Sequence, residues 1–145
     1  MKIYIINGPN LNMLGIREPE IYGSGTYKEL CAMIEAHCKK KGIEPVFYQS
    51  NHEGDLVDRI QNAFFERADG IVINPGAYTH TSVALLDALK ATKLKTVEVH
   101  ISKVNEREEF RQISYIRPVC VASVIGEGFD GYLHAIDILE KELAK

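Results

Sequence analysis

The apolar positions of the chain fall into two kinds of segment that alternate from end to end. Short runs rich in Val and Ile occur at Ile3–Ile6, Pro45–Tyr48, Gly70–Ile73, Thr96–Ile101 and Val119–Ile125. Most of them lack a clean in–out alternation, the pattern of strands covered on both faces. Between the runs, apolar residues recur at helical spacing. Thr26 with Glu29 makes a capping box, Leu30, Met33, Ile34 and His37 then share one face, and Gly42 stops the helix. Ser50 with Glu53 offers a second box ahead of Leu56, Ile60, Ala63 and Phe64. A third helix is expected from about Thr81 to Thr92. A short one, Asn105 to about Gln112, opens with a capping residue and an acidic first turn, and the last carries Leu133, Ile136, Leu139 and Leu143.

Alternating strands and helices imply parallel strands joined by right-handed crossovers. Five strands in 145 residues predict one α/β domain over 1–145. The expected form is a flavodoxin-like three-layer sandwich with a five-stranded parallel sheet of order 2-1-3-4-5. A closed (β/α)₈ barrel needs far more chain. In open sheets of this kind ligands bind beyond the carboxyl ends of the strands where the order reverses, here between strands 1 and 3 with strand 4 alongside.

Composition narrows the partners. A formal net charge of −3 gives no reason to expect nucleic acid or an anionic membrane. The apolar run after Lys2 meets Asn7-Gly8-Pro9 too soon for a signal segment, and no stretch approaches transmembrane length. Cys31, Cys38 and Cys120 are odd in number and form no C-x-x-C pair, so they suit small apolar fillers in a reducing cytoplasm.

Chemistry-bearing residues cluster at the strand ends. After strand 1 the chain runs from Asn7-Gly8-Pro9-Asn10-Leu11-Asn12 to Thr26 before a helix begins. Connections in such folds usually span ~2–6 residues, so a segment of this length is either a lid or a plain surface loop. It holds Arg17, Glu18 and Tyr22 beside Gly23 and Gly25. After strand 3, Asn74-Pro75-Gly76-Ala77-Tyr78-Thr79-His80-Thr81-Ser82 leads into a helix N-terminus, which attracts anions and hydroxyl oxygens unless Asn74 and Thr79 are only turn and cap residues. Along strand 4, Glu98, His100 and Ser102 share one face and Val99 and Ile101 the other. A carboxylate beside an imidazole fixes its tautomer and favours its charged form. The ordinary alternative is a surface ion pair. Arg107 and Arg111, four apart, suit carboxylate or oxygen-rich ligands, or merely a solvated helix. His37 and His52 suit surface or helix-boundary positions, and His134 a structural place beside the last helix's core residues.

Several chemistries drop out. There is no G-x-G-x-x-G after strand 1, no Walker A sequence and no G-x-S-x-G elbow. A receiver domain would carry aspartates where Asn7 and Asn74 stand. Zinc on His80 and His100 would need a third ligand, and Glu98, the obvious one, already has a partner. No metal or cofactor is expected. Two readings besides an enzyme stay open: a binding module for a polyhydroxylated acid, and a flavin-binding electron carrier.

Taken together the segments resemble the type II 3-dehydroquinate dehydratases over nearly the whole chain. The carriers are Asn7–Asn12, Arg17-Glu18-Pro19 with Tyr22-Gly23, Gln49-Ser50-Asn51, Asn74–Ala77 with Thr79–Ser82, Glu98–Ser102 and Arg107–Arg111. The resemblance implies the third step of the shikimate pathway, or in some organisms quinate breakdown: trans elimination of water from 3-dehydroquinate through an enolate. It implies that Tyr22, on a mobile lid at about 11–25, removes the C2 proton with Arg17 as its cation. Asn10 would hold a water that stabilises the enolate. His100 would protonate the departing hydroxyl, oriented by Glu98 and positioned with help from Asn74. Ser102 and the Ile101 N–H would hold the carboxylate, Arg111 and His80 the ring hydroxyls, and Arg107 would close over the site. Asp87 matches the position that a neighbouring subunit contributes in the family, whose assembly is a dodecamer, a tetramer of trimers. No Schiff-base lysine is needed, and a cytoplasmic location follows.

Overall fold

The computed structural model describes residues 1–145. Five parallel strands, β1 (Lys2–Asn7), β2 (Glu44–Gln49), β3 (Gly70–Asn74), β4 (Lys95–His100) and β5 (Ala122–Ile125), form one sheet of order β2-β1-β3-β4-β5. The order expected from the sequence is the one observed. A single helical turn, α1 (Pro19–Tyr22), lies in the long connection after β1; α2 (Tyr27–Lys41), α3 (Glu53–Phe65), α4 (Val83–Thr92) and α5 (Asp130–Leu143) make up the outer layers.

Side-chain alternation assigns the two faces of the sheet. Ile3, Ile5, Val72, Val97 and Val99 point to the layer of α2 and α5, while Tyr4, Ile6, Ile71 and Ile73 point to α3 and α4. Both sides of β1 and β3 are thus buried and, between Lys2 and the terminal Asn7 and Asn74, apolar, which is why their sequences do not alternate. On α2 the buried stripe is Leu30, Ile34 and Cys38; Met33 is exposed and His37 half-buried, one step off the expected face. On α5 it is Tyr132, Ala135, Ile136 and Leu139, with Leu133 and Leu143 only partly covered and His134 out in solvent against Glu127.

Local signals hold at some boundaries and fail at others. Thr26 and Glu29 form both bonds of a capping box. Ser50 does not cap: its hydroxyl accepts from the His52 N–H and donates to Asp55, and α3 begins two residues later than expected, after His52, without a side-chain cap. The third helix, expected from about Thr81 to Thr92, is α4 at Val83–Thr92 with Ser82 as its cap, and a 3₁₀ turn at Gly76–His80 precedes it. No helix spans 105–112. Two 3₁₀ turns, Val104–Glu106 and Glu109–Gln112, flank an extended Arg107 at φ −100, ψ −159. This charged segment buries no apolar stripe that would repay helix nucleation. The fifth strand is shorter than its apolar run, because Pro118, which has no N–H to give a sheet ladder, lies in a 3₁₀ turn at Arg117–Val119. The connection from β4 to β5 therefore covers the sheet with turns in place of a helix.

At the switch point, the turns after β1 and β3 dock backbone to backbone. Asn7 pairs in register with Asn74, and the Gly8 N–H donates to the Asn74 carbonyl at 2.8 Å. A Cβ on Gly8 would lie 2.3 Å from the Pro75 oxygen. Gly76, at φ +60, packs the same way against Pro9. Gly8→Ala should therefore lower stability by about 1–3 kcal/mol, the usual cost of forcing atoms into a packed contact, measured as the shift in a urea unfolding midpoint. An unchanged midpoint would mean that the two turns are free to separate.

Candidate functional site

A cavity opens at this switch point. It is lined by Asn10, Arg17, Tyr22, Asn74, His80, His100, Ile101, Ser102, Arg107 and Arg111, with Leu11, Leu14, Ala77 and Val104 as its apolar wall. Residues far apart in sequence meet there because the strand ends, the loop after β1 and the turns after β4 converge on one edge. Two expected site residues lie elsewhere. Glu98 sits behind His100, and Asp87 is exposed on α4, outside the cavity of its own chain.

Glu98 has no solvent access and His100 is 4% exposed, so their contact is no surface ion pair. His100 Nε2 lies 2.6 Å from Glu98 Oε2. A carboxylate can only accept, so Nε2 bears the hydrogen and Nδ1 is left to exchange a proton with a ligand. Glu98 accepts four further bonds: two from Arg117 (2.9 and 3.1 Å), one from Ser114 (2.8 Å) and one from Ser123 (2.9 Å). Burial alone would push this carboxyl up, but the bonds from His100 and Arg117 outweigh it and hold the group down at about 2.

The tyrosine is held by cations. Arg107 Nη1 donates to the Tyr22 hydroxyl at 2.9 Å and to Ser102 Oγ at 3.2 Å, while the Arg17 guanidinium lies over the Tyr22 ring, 4.7 Å from its centroid. Two guanidinium groups thus sit against this one side chain, one at its hydroxyl and one over its ring. His80 Nδ1 donates to the Ile113 carbonyl at 2.7 Å, which leaves Nε2 as an acceptor; burial chiefly lowers its pKa and favours that neutral form. The Ile101 and Ser102 N–H groups find no acceptor within the chain, so a ligand oxygen could take them. Arg111 bonds Glu108 rather than standing free.

Below the cavity, Asn74 Nδ2 donates to the buried Tyr132 hydroxyl at 3.0 Å, its Oδ1 accepts from the Gly76 N–H, and Tyr132 donates in turn to Asn7. Asn74 makes no bond to His100. Sequence reasoning missed Arg117, Ser114, Ser123 and Tyr132. Ser123 had a signal, since strand pairing puts it directly opposite Glu98; Arg117 and Ser114 had none, as a turn-built connection brings them in.

The family model of dehydroquinase class II matches residues 1–140. The chain belongs to the class II dehydroquinase family. A curated 3-dehydroquinate dehydratase of Lachnoclostridium phytofermentans is 53% identical over 139 residues, 96% of each chain. The crystal structure of a type II dehydroquinase from Butyrivibrio crossotus superposes with a TM-score of 0.95 at 59% identity, covering 97% of both chains. One from Propionibacterium acnes gives 0.90 at 34% identity, over 99% of this chain and 97% of that one. Class II dehydroquinase membership thus accounts for the sheet order and for the segments gathered at its edge.

The low Glu98 value has a consequence for acid stability. The folded carboxyl holds its proton more weakly than an ordinary glutamate at 4.5. Its contribution is therefore complete above pH 4.5 and is lost as the pH falls toward 2. The shift corresponds to about 3 kcal/mol. Urea melts at pH 5 and pH 2.5 should show that Glu98→Gln loses less stability across this interval than the parent protein; equal losses would contradict the assignment.

Proposed function

We propose that this chain is a 3-dehydroquinate dehydratase, a hydro-lyase of the shikimate pathway that converts 3-dehydroquinate to 3-dehydroshikimate. The observation that carries the reading is the shared cavity of two differently supported proton-handling groups: Tyr22 under two guanidinium groups, and His100 fixed by a buried carboxylate.

The reaction divides into two proton transfers. The Tyr22 phenolate takes the C2 proton beside the ketone, and the electron pair moves onto the ketone oxygen as an enolate. Asn10, at the turn after β1, holds a water that donates to that oxygen. The enolate then reforms the ketone as the C1–O bond breaks and C1=C2 forms. His100 Nδ1 gives its proton to the departing hydroxyl, releasing water on the face opposite the lost proton. Transfer of the Tyr22 proton back to the imidazole, through solvent, restores both groups. The free Ile101 and Ser102 N–H groups bind the substrate carboxylate, and neutral His80 accepts a ring hydroxyl through Nε2. Arg111 binds the ring oxygens, and Asn74, pinned by Tyr132, keeps its remaining N–H toward the substrate. This chemistry calls on no metal and no cofactor.

Residues 11–25 act as the lid, with Arg17 and Tyr22 entering on closure while Arg107 spans Tyr22 and Ser102. A trimer-based dodecamer would bring Asp87 of one chain to the cavity of the next; its exposed place on α4 supports this. No helix of the chain is long and apolar enough to cross a membrane, and a cytoplasmic site of action fits its free cysteines.

Adding 3-dehydroquinate should raise the ultraviolet absorbance of a conjugated enone acid; a flat trace with folded protein would leave only a binding module. Tyr22→Phe and His100→Ala should each lower turnover by ~10²–10⁴-fold with circular dichroism unchanged. Near-normal turnover in either would remove that residue from its role. Tryptic cleavage after Arg17 should slow when a substrate analogue is bound, and equal cleavage rates would count against closure.

A further inference from the structure

The Glu98 carboxylate is shared by a guanidinium and an imidazole. Arg117 Nη2 and His100 Nε2 bond the same oxygen, Oε2, at 3.1 and 2.6 Å, while Arg117 Nε takes Oε1 at 2.9 Å. Sharing an oxygen puts the two groups within about 6 Å, the range in which like charges oppose each other. Arg117 comes from the turn before β5, its side chain is 40% exposed, and it does not line the cavity.

The other neighbours of the carboxylate are neutral: the hydroxyls of Ser114 and Ser123, and the Cys120 thiol, which burial pushes up to about 12. His100 faces more charge from the cavity side, where His80 and Arg111 come from the turns after β3 and β4, and Arg107, Arg17 and Tyr22 from the rim. None of these bonds Glu98. Arg117 is thus the one competitor of the imidazole for its carboxylate.

We propose that Arg117 is a positioning residue for proton transfer, sharing the Glu98 carboxylate with His100 and so limiting how tightly the imidazole holds the proton it must release. A buried Glu98–His100 pair with no third charge would form a stable ion pair and a poor proton donor. With the guanidinium engaging both carboxylate oxygens, the ring stays oriented by its 2.6 Å bond while the proton on the opposite nitrogen remains transferable. The kinetic part of this inference rests on the dehydratase reading; the titration part does not.

The test compares Arg117→Gln, Arg117→Met and Arg117→Lys with the parent, by histidine-labelled NMR titration of the His100 ring and by kcat and KM against pH. The two neutral variants should raise the His100 titration midpoint by about one pH unit, the low end of a close charge–charge effect. Their kcat should fall about threefold to tenfold as the donor weakens, with KM within about twofold. Arg117→Lys, which keeps the charge, should restore both. An unmoved midpoint in a folded neutral variant overturns the proposal. So does a change confined to KM, or equal effects of Lys and Gln. Should neither neutral variant fold, Arg117 serves the fold and the tuning role falls. A shifted midpoint in a protein without dehydratase turnover would retain the charge sharing and strike the reaction instead.

Discussion

A carboxylate with no access to water is an expensive object inside a protein, and Glu98 is one. It stays charged because five hydrogen bonds reach it from His100, Ser114, Arg117 and Ser123. Those donors come from β4, from β5 and from the turn-built connection between them. The demand for neutralisation pulls that connection over the edge of the sheet, where a crossover helix would otherwise lie. It also turns His100 so that one nitrogen is tied down and the other is free for chemistry. Removing one partner from such a group typically costs ~3–5 kcal/mol, so the arrangement is fixed more firmly than packing alone would fix it.

Against that rigid floor stands a different kind of element. Tyr22 is carried by a one-turn helix in a long loop, contacts the rest of the site through Arg107 and Arg17, and has no buried network of its own. Short helical turns without a buried stripe are held mainly by what they touch. The proposed division of labour follows: a proton donor that must not move is built into the sheet, and a base that must admit its substrate is placed on the loop.

How far the sequence disclosed this depended on how local each cause is. The sheet order followed from alternating apolar runs, since β1 and β3 are buried on both faces and cannot be mistaken for half-exposed strands. Glu98 and His100 followed from period-two spacing. Tyr22, Arg17 and Asn10 could be tied to one site only through a family resemblance, because nothing local says where a long loop folds. The misread parts share one origin, tertiary contact overriding local preference. Ser50 has the composition of a cap but serves Asp55, and Arg107 has helical neighbours but is drawn out toward Tyr22 and Ser102. Arg117 was invisible because its partner is 19 residues away across a turn.

The proposed roles give Tyr22 and His100 one proton each, handled independently, and isotope exchange separates them. In D₂O, His100→Ala should still exchange the C2 hydrogen of 3-dehydroquinate above the buffer rate, as the proposed role of Tyr22 requires, yet make almost no enone. Tyr22→Phe should do neither. Exchange that persists without Tyr22, or that vanishes with His100, would contradict the assignment of the two protons.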